Sequence, residues 1–453
     1  MSLRTLVVFS LMIGALAGDA TAAGWKAGAA REKITPGQSM WMAGYGSRNQ
    51  PATGLLNDLW GKALVLEDSA GKRAAIITLD LVGIGPDTAD PILAALERKY
   101  NLRRASVAIC CSHTHSGPVI GKNLRSLHYD LIDAEQQKLV DAYAAEFIDK
   151  MVSMVGRAVD GLGPSELAYA TGKATFATNR RNNTETEVPK LREAGQLQGP
   201  FDHDVPVLKV TGADGRLVAV LFGYACHATV LSDYDWSSDY PGFAQEAIER
   251  EHPECTSLFF AGCGADQNPI PRRQVELARK YGAELAQSVE AVLDGEMKPL
   301  IAKLDTKWTT IPLELAHVPT REEVEQEAKS QDKYVSARAN YFLAEMEAGR
   351  SIPASYPYPV EVWRLGNELT FVALGGEVVV DYALRLKASN GAKTTWVAGY
   401  SNDVMAYIPS RRVLTEGGYE GGGAMVYYSL PSLWSPTVEE AIVKAVEGMM
   451  PAK

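Results

Sequence analysis

A chain of 453 residues with 46% hydrophobic and 22% charged residues carries enough apolar material for a sizeable core, which excludes a disordered or low-complexity protein. Its formal net charge of −10 runs against nucleic acid and anionic membrane surfaces, both of which reward clustered Lys and Arg, so the expected partners are small or neutral molecules. Five cysteines, an odd number with no CxxC spacing, do not make a disulfide framework and leave at least one unpaired within the chain.

In chain order, the opening MSLRTLVVFSLMIGALAGDATAAG combines Arg4, an apolar stretch from Leu6 to Ala17 and a small-residue site at Ala20-Thr21-Ala22. That is the pattern of a secretory signal peptide over residues 1–23, cleaved near Ala22 or Ala23. The apolar stretch is short and interrupted by Gly14, Gly18 and Asp19, which argues against a membrane anchor. A bacterial periplasmic or secreted location is expected, with residues 24–453 forming one large domain or two closely packed lobes.

Apolar, β-branched runs at 62–68, 73–84, 105–112, 205–210, 217–227 and 257–264 predict strands, and several are continuous, as in strands covered on both faces. On the strand at 105–112 the neighbours Cys110 and Cys111 should face opposite sides as small core residues. Between the runs, helical periodicity predicts helices over 90–100, 136–159, 240–251 and 272–293, the third with Pro241 in its first turn and Asp239 as cap. This alternation predicts an α/β architecture, a mixed and mostly parallel sheet flanked by helices. The later part reads as α+β packed into the same unit: one long charged helix over 320–349, a hairpin over 360–376 turning at Gly366-Asn367, a helix from about Glu377, and a final helix from about Thr437.

Two of the seven histidines, His113 and His115, stand in SHTHSGP where an apolar strand runs into a Gly-Pro loop, the kind of strand end at which α/β sheets bind ligands. On an extended chain, side chains two apart face the same way and can address one point. His227, in FGYACHATVLS, also ends an apolar strand. Two strand-end histidines call for a carboxylate to complete a zinc-type site, and Glu377, after an apolar strand and a Gly-Gly turn, qualifies. The residue types alone leave structural histidines and a solvated helix-terminal glutamate as the bland alternatives. Further candidates are the loop FFAGCGADQNP at 259–269, the arginines of TNRRNN at 178–183, and the Gly-, Asn- and Tyr-rich segment 399–425, a long irregular stretch of the kind that carries function.

The motifs SHTHSGP, NRRNN, CHATVLS followed by SSDYPGFA, GGEVVVDYALRL and YSNDVMAYIPSRRVLTEGGYEGG occur in an order that resembles the neutral/alkaline non-lysosomal ceramidase family, from MAGYGSR at 42–48 to YEGG at 419–422. The resemblance implies zinc held by His113, His227, Glu377 and Tyr407, with His115 beside the metal as acid/base and Arg180 handling substrate. It also implies hydrolysis of an N-acyl bond, as in ceramide, to a free amine and a fatty acid. Family members carry a GDVSPN-type segment whose serine is assigned to catalysis. This chain reads GADQNP there, so Asp266 becomes the candidate catalytic residue of the loop, and Gln267 and Asn268 the candidate substrate-binding residues alongside Arg180. The chain also ends about thirty residues after YEGG, without the family's C-terminal β-sandwich. The fold and the metal site therefore transfer more directly than the lipid substrate. The same zinc scaffold acting on an acylated sugar, another N-acyl amino compound or an ester is the first alternative, and a non-catalytic lipid- or carbohydrate-binding protein the second.

Overall fold

The structure, a computed structural model, describes residues 24–450; the expected signal peptide lies outside them. The first part of the chain forms β1 (Trp25–Lys33), β2 (Trp60–Glu67), β3 (Arg73–Leu79), α1 (Pro86–Tyr100), β4 (Val107–Cys111), α2 (Ala134–Asp160), β5 (Gly163–Lys173), β6 (Asp204–Gly212), β7 (Leu217–Tyr224), α3 (Asp239–Glu251), β8 (Thr256–Ala261) and α4 (Val275–Leu293). The second part forms β9 (Leu304–Glu314), α5 (Arg321–Glu327), α6 (Lys333–Glu347), β10 (Ser355–Leu365), β11 (Leu369–Leu374), α7 (Val380–Asn390), β12 (Thr395–Ala398) and α8 (Val438–Met449).

The large sheet runs β8-β7-β6-β5-β1-β2-β3-β4, with Lys298–Pro299 added beside β5. It is mixed, as expected, but antiparallel at most of its ladders; only β3–β4 and β7–β8 are parallel. The connections explain the difference. The short links 68–72 and 213–216 can join only antiparallel neighbours, whereas the two parallel pairs are those whose crossovers carry α1 and α3. A smaller sheet, β9-β10-β11-β12, stacks against the large one.

Four layers result. Helices α1 to α4 cover one face of the large sheet, with Ile92, Phe147, Ile248 and Leu285 packed on alternate strand residues such as Val65, Ile77 and Phe222. The other face, with Leu64, Ile76, Cys110 and Phe260, meets Trp363, Phe371 and Trp396 of the small sheet. Cys110 and Cys111 thus point into different layers, and all five cysteines are buried and free. The outer face of the small sheet is closed by α7 and α8 through Tyr382, Leu386 and Ile442. Both faces of β2 to β4 are therefore covered, which accounts for their unbroken apolar runs in sheets that are not mainly parallel. Each fully buried aromatic such as Trp363 stabilises this stack by about 2–3 kcal/mol.

Three local expectations are corrected. The stretch 320–349 is two helices, because Asp332 accepts from Tyr334 N and Val335 N and starts α6 afresh, while Thr320 and Glu323 close a capping box on α5. Asp239 does not cap α3; it takes φ +55 inside the helix start, and its carboxylate accepts from Tyr240 N and Leu231 N. Glu377 does not open a helix: Glu377–Val378 forms a short parallel pairing with Tyr407–Ile408, and α7 begins at Val380. Among the described residues, no helix is long and apolar enough to cross a membrane.

Candidate metal centre

Four segments converge. His113 follows β4 and His227 follows β7 of the large sheet; Glu377 follows β11, and Tyr407 lies beyond β12, both from the small sheet. Bridges between Cys110 and Ser401 and between Gly262 and Ala398 tie the sheets together just before these residues, so the site sits where the two layers are stitched. Glu377 and Tyr407 face each other in register on their short ladder. His113 takes φ +61, and its N–H bonds Leu81 O at 3.0 Å. Extended alternation therefore does not bring the two histidines of SHTHSGP together; the left-handed turn at His113 does, with their rings 4.7 Å apart.

The protons can be assigned from the partners. His113 Nδ1 lies 2.5 Å from Val82 O and His227 Nδ1 lies 2.8 Å from Gly264 O; a carbonyl only accepts, so both Nδ1 atoms carry the hydrogen. In the neutral rings this leaves a lone pair on each Nε2. Burial, and then the Arg180 guanidinium, holds His227 down to about 4, so its ring is neutral at physiological pH. Glu377 Oε2 stands 3.2 Å from His113 Nε2 and 3.3 Å from His227 Nε2, is buried, and has no hydrogen-bond donor. The Tyr407 hydroxyl is a fourth group, donating to His227 Nε2 at 3.3 Å.

Glu377 Oε2 faces the two ring nitrogens without a hydrogen bond, and such acceptors repel unless a cation lies among them. Separations of 3.2–3.3 Å match the edge of a tetrahedron built on bonds of about 2.0–2.1 Å, roughly 3.3 Å, and imidazole, carboxylate and phenol oxygen form a donor set suited to zinc-like divalent ions. The residues fit a metal. Ligand atoms of His113, His115 and His227 also lie within 4.8 Å of one another. His115 approaches through His113 Nε2 at 3.1 Å, while its Nδ1 is buried without a partner. Burial holds the His115 ring well below the ordinary imidazole range, and so neutral.

Around this cluster the sequence candidates take distinct places. Arg180 Nη2 donates to Tyr407 Oη at 3.1 Å, Nη1 to Asn268 Oδ1 at 3.2 Å, and Nε to Glu420 at 2.7 Å. Burial works against its charge, but Tyr407 and Glu420 more than offset this. The loop 264–268 lies under His227, supplying Gln267 O to its N–H and Gly264 O to its ring. A Cβ at Gly264 would lie 2.6 Å from Cys226 N, which is why glycine stands there. Asp266 is fully buried; its Oδ1 accepts from Val380 N at the start of α7 and its Oδ2 from Asn179 Nδ2, both at 3.0 Å. Gln267 is buried and donates to Pro200 O. An open cleft of ≈ 640 Å³ leads to the cluster, lined by His115, Arg180, Asn268 and Tyr407 among others.

Three residues of the site went unread in the sequence. Tyr428 donates its hydroxyl to Glu377 Oε1, leaving Oε2 to the histidines. Tyr400 lies with its ring 4.3 Å from that of His113. Glu420 joins Arg180 and Arg181, each at 2.7 Å. Glu420 and Tyr400 lie within 399–425, whose tyrosines and length were the available signal; Tyr428 stands just outside it with no local mark.

Residues 25–274 match the family model described as neutral/alkaline non-lysosomal ceramidase, N-terminal. Neutral ceramidase of Pseudomonas aeruginosa is 28% identical over 216 residues, 46% of this chain and 31% of that protein. Neutral ceramidase of Drosophila melanogaster is 24% identical over 241 residues, 50% of this chain and 32% of that protein. The chain thus aligns with about a third of the length of these curated relatives. The crystal structure of neutral ceramidase from Pseudomonas aeruginosa superposes with a TM-score of 0.71 at 18% identity, covering 95% of this chain and 76% of that one, a likeness of fold.

Proposed function

The chain belongs to the neutral/alkaline non-lysosomal ceramidase family, and on that premise we propose that it is a zinc-dependent hydrolase of linear amides, releasing a free amine and a carboxylic acid from an N-acyl compound. The observation that carries this reading is the crowding of buried His113 Nε2, His227 Nε2 and Glu377 Oε2, the carboxylate oxygen 3.2 and 3.3 Å from the two ring nitrogens and without a hydrogen bond. With Tyr407 they are the residues that would hold the ion. A zinc ion supplies a Lewis acid and lowers the pKa of water toward neutrality.

The chain's own groups do the rest. His115, neutral and with its ring beside His113 Nε2 at 3.1 Å, is the group placed to take a proton from water and pass it to the leaving amine. Arg180 and Tyr407, already joined through the Tyr407 hydroxyl, face the negative charge that develops on the amide oxygen. Glu420 keeps the Arg180 fork in place. Asn268 orients the same guanidinium and the polar part of the substrate, while Asp266 and Gln267 act beneath it, holding the loop, α7 and the His227 backbone in register.

His113→Ala and His227→Ala tested together with metal analysis and assays on long- and short-chain N-acyl substrates decide the matter. Both variants should lose bound zinc and activity in parallel. A metal-free variant that still cuts the amide would refute the proposal.

A further inference from the structure

The cleft wall runs against the charge of the chain as a whole. In a protein of net charge −10, four guanidiniums, Arg180, Arg181, Arg272 and Arg273, line this cleft against three carboxylates. Three of them are paired: Arg180 and Arg181 with Glu420, Arg181 also with Glu416, and Arg272 with Glu185. Arg273 is the surplus. Its guanidinium lies 5.3 Å from the centre of the Tyr45 ring and, among the described residues, makes no hydrogen bond or ion pair. The Tyr45 ring stands 4.7 Å from that of His115, so one aromatic ring separates Arg273 from the histidine cluster.

The backbone holds Arg273 in place at some expense. Its φ of +83 is a left-handed conformation costing a non-glycine residue about 1 kcal/mol, and its N–H is bonded to Val230 O at 2.6 Å. The residue before Val230, Thr229, lines the same cleft with a buried hydroxyl that has no partner. In the lining, Ile270 is the lone aliphatic side chain, so the wall offers little to a pair of long hydrocarbon chains.

We propose that Arg273, together with the neighbouring Thr229 hydroxyl, is the specificity determinant for an anionic group carried by the substrate beyond the bond that is cut. The cleft takes N-acyl compounds with a carboxylate or phosphate head in preference to neutral N-acyl lipids. This rests on the amide-hydrolase reading above. The Arg273 guanidinium meets the anion, and the Thr229 hydroxyl donates to it.

The test compares kcat/KM on three N-octanoyl compounds: an amino acid with a free carboxylate, its neutral carboxamide, and a phosphoethanolamine. The wild type should favour an anionic compound by roughly tenfold, the better of the two identifying the head group. Arg273→Gln should bring the ratio close to one, Arg273→Lys should retain most of it, and raising the salt should shrink it. Equal rates on neutral and anionic compounds, or a preference that survives Arg273→Gln, overturns the inference while leaving the hydrolase reading intact. If no amide is cut at all, the hydrolase reading fails. Titration calorimetry of the carboxylate and carboxamide on wild type and Arg273→Gln then decides the inference, which predicts the same Arg273-dependent ratio in affinity.

Discussion

Replacing Glu377 by Gln should strengthen the metal-stripped protein while abolishing its response to zinc. In the wild type, Glu377 Oε1 accepts from Tyr428, and Oε2 faces the Nε2 lone pairs of His113 and His227 at 3.2 and 3.3 Å. Glutamine keeps Oε1 for Tyr428 and turns an NH2 toward the two rings, so two repulsive approaches become hydrogen bonds. At about 0.5–1.5 kcal/mol each, the gain is about 1–3 kcal/mol. In a chain of this size each kcal/mol moves Tm by about 1 °C, so the stripped variant should melt roughly 1–3 °C above the stripped wild type. Zinc at a hundred times its dissociation constant should stabilise the wild type by about 2.7 kcal/mol and leave the variant unmoved. Scanning calorimetry of both proteins, chelated and zinc-loaded, gives all four values. A stripped variant less stable than the stripped wild type, or one that zinc still stabilises, refutes the proton assignment.

Other outcomes follow from the same geometry. Glu420→Gln leaves Arg180 and Arg181 short of their shared carboxylate, and should cost about 2–3 kcal/mol in denaturant titration and lower kcat more than it raises KM. Asp266→Asn turns a donor toward either Val380 N or Asn179 Nδ2 and should cost about 1–3 kcal/mol; unchanged stability with lost turnover would instead make Asp266 a participant in the chemistry. Glu361, fully buried among Trp363 Nε1, Asn402 Nδ2 and Arg104, is pushed up by burial to about 8. A carboxyl raised on folding stabilises below its unfolded pKa and loses that contribution as pH climbs through its folded one. The stability of the wild type relative to Glu361→Gln should therefore fall between about pH 4.5 and 8; a difference constant across that window contradicts the burial argument.

Much of the site was legible in the sequence because its groups sit at strand ends, where an apolar run breaks into small and polar residues. His113 and His227 announced themselves that way. Glu377 was placed correctly after β11 but in the wrong element, since Gly375-Gly376 followed by an acid reads locally as a helix start, while the ladder to Tyr407 depends on a partner thirty residues away. Strand direction was misread for a related reason. Continuous burial reports that both faces are covered, and the stacking of the two sheets covers β2 to β4 as fully as helices on both sides would. The role of Tyr428 is wholly tertiary: nothing near it in the chain marks a hydroxyl that closes one oxygen of Glu377 and leaves the other to the histidines.

Anomalous diffraction from zinc-loaded crystals, on both sides of the zinc absorption edge, locates an ion held by two histidines, a glutamate and a tyrosine. A single strong peak is expected within bonding distance of His113 Nε2, His227 Nε2, Glu377 Oε2 and Tyr407 Oη, with His115 beside it and unbound. A peak elsewhere, or an ion held by His115 in place of Glu377, would contradict it.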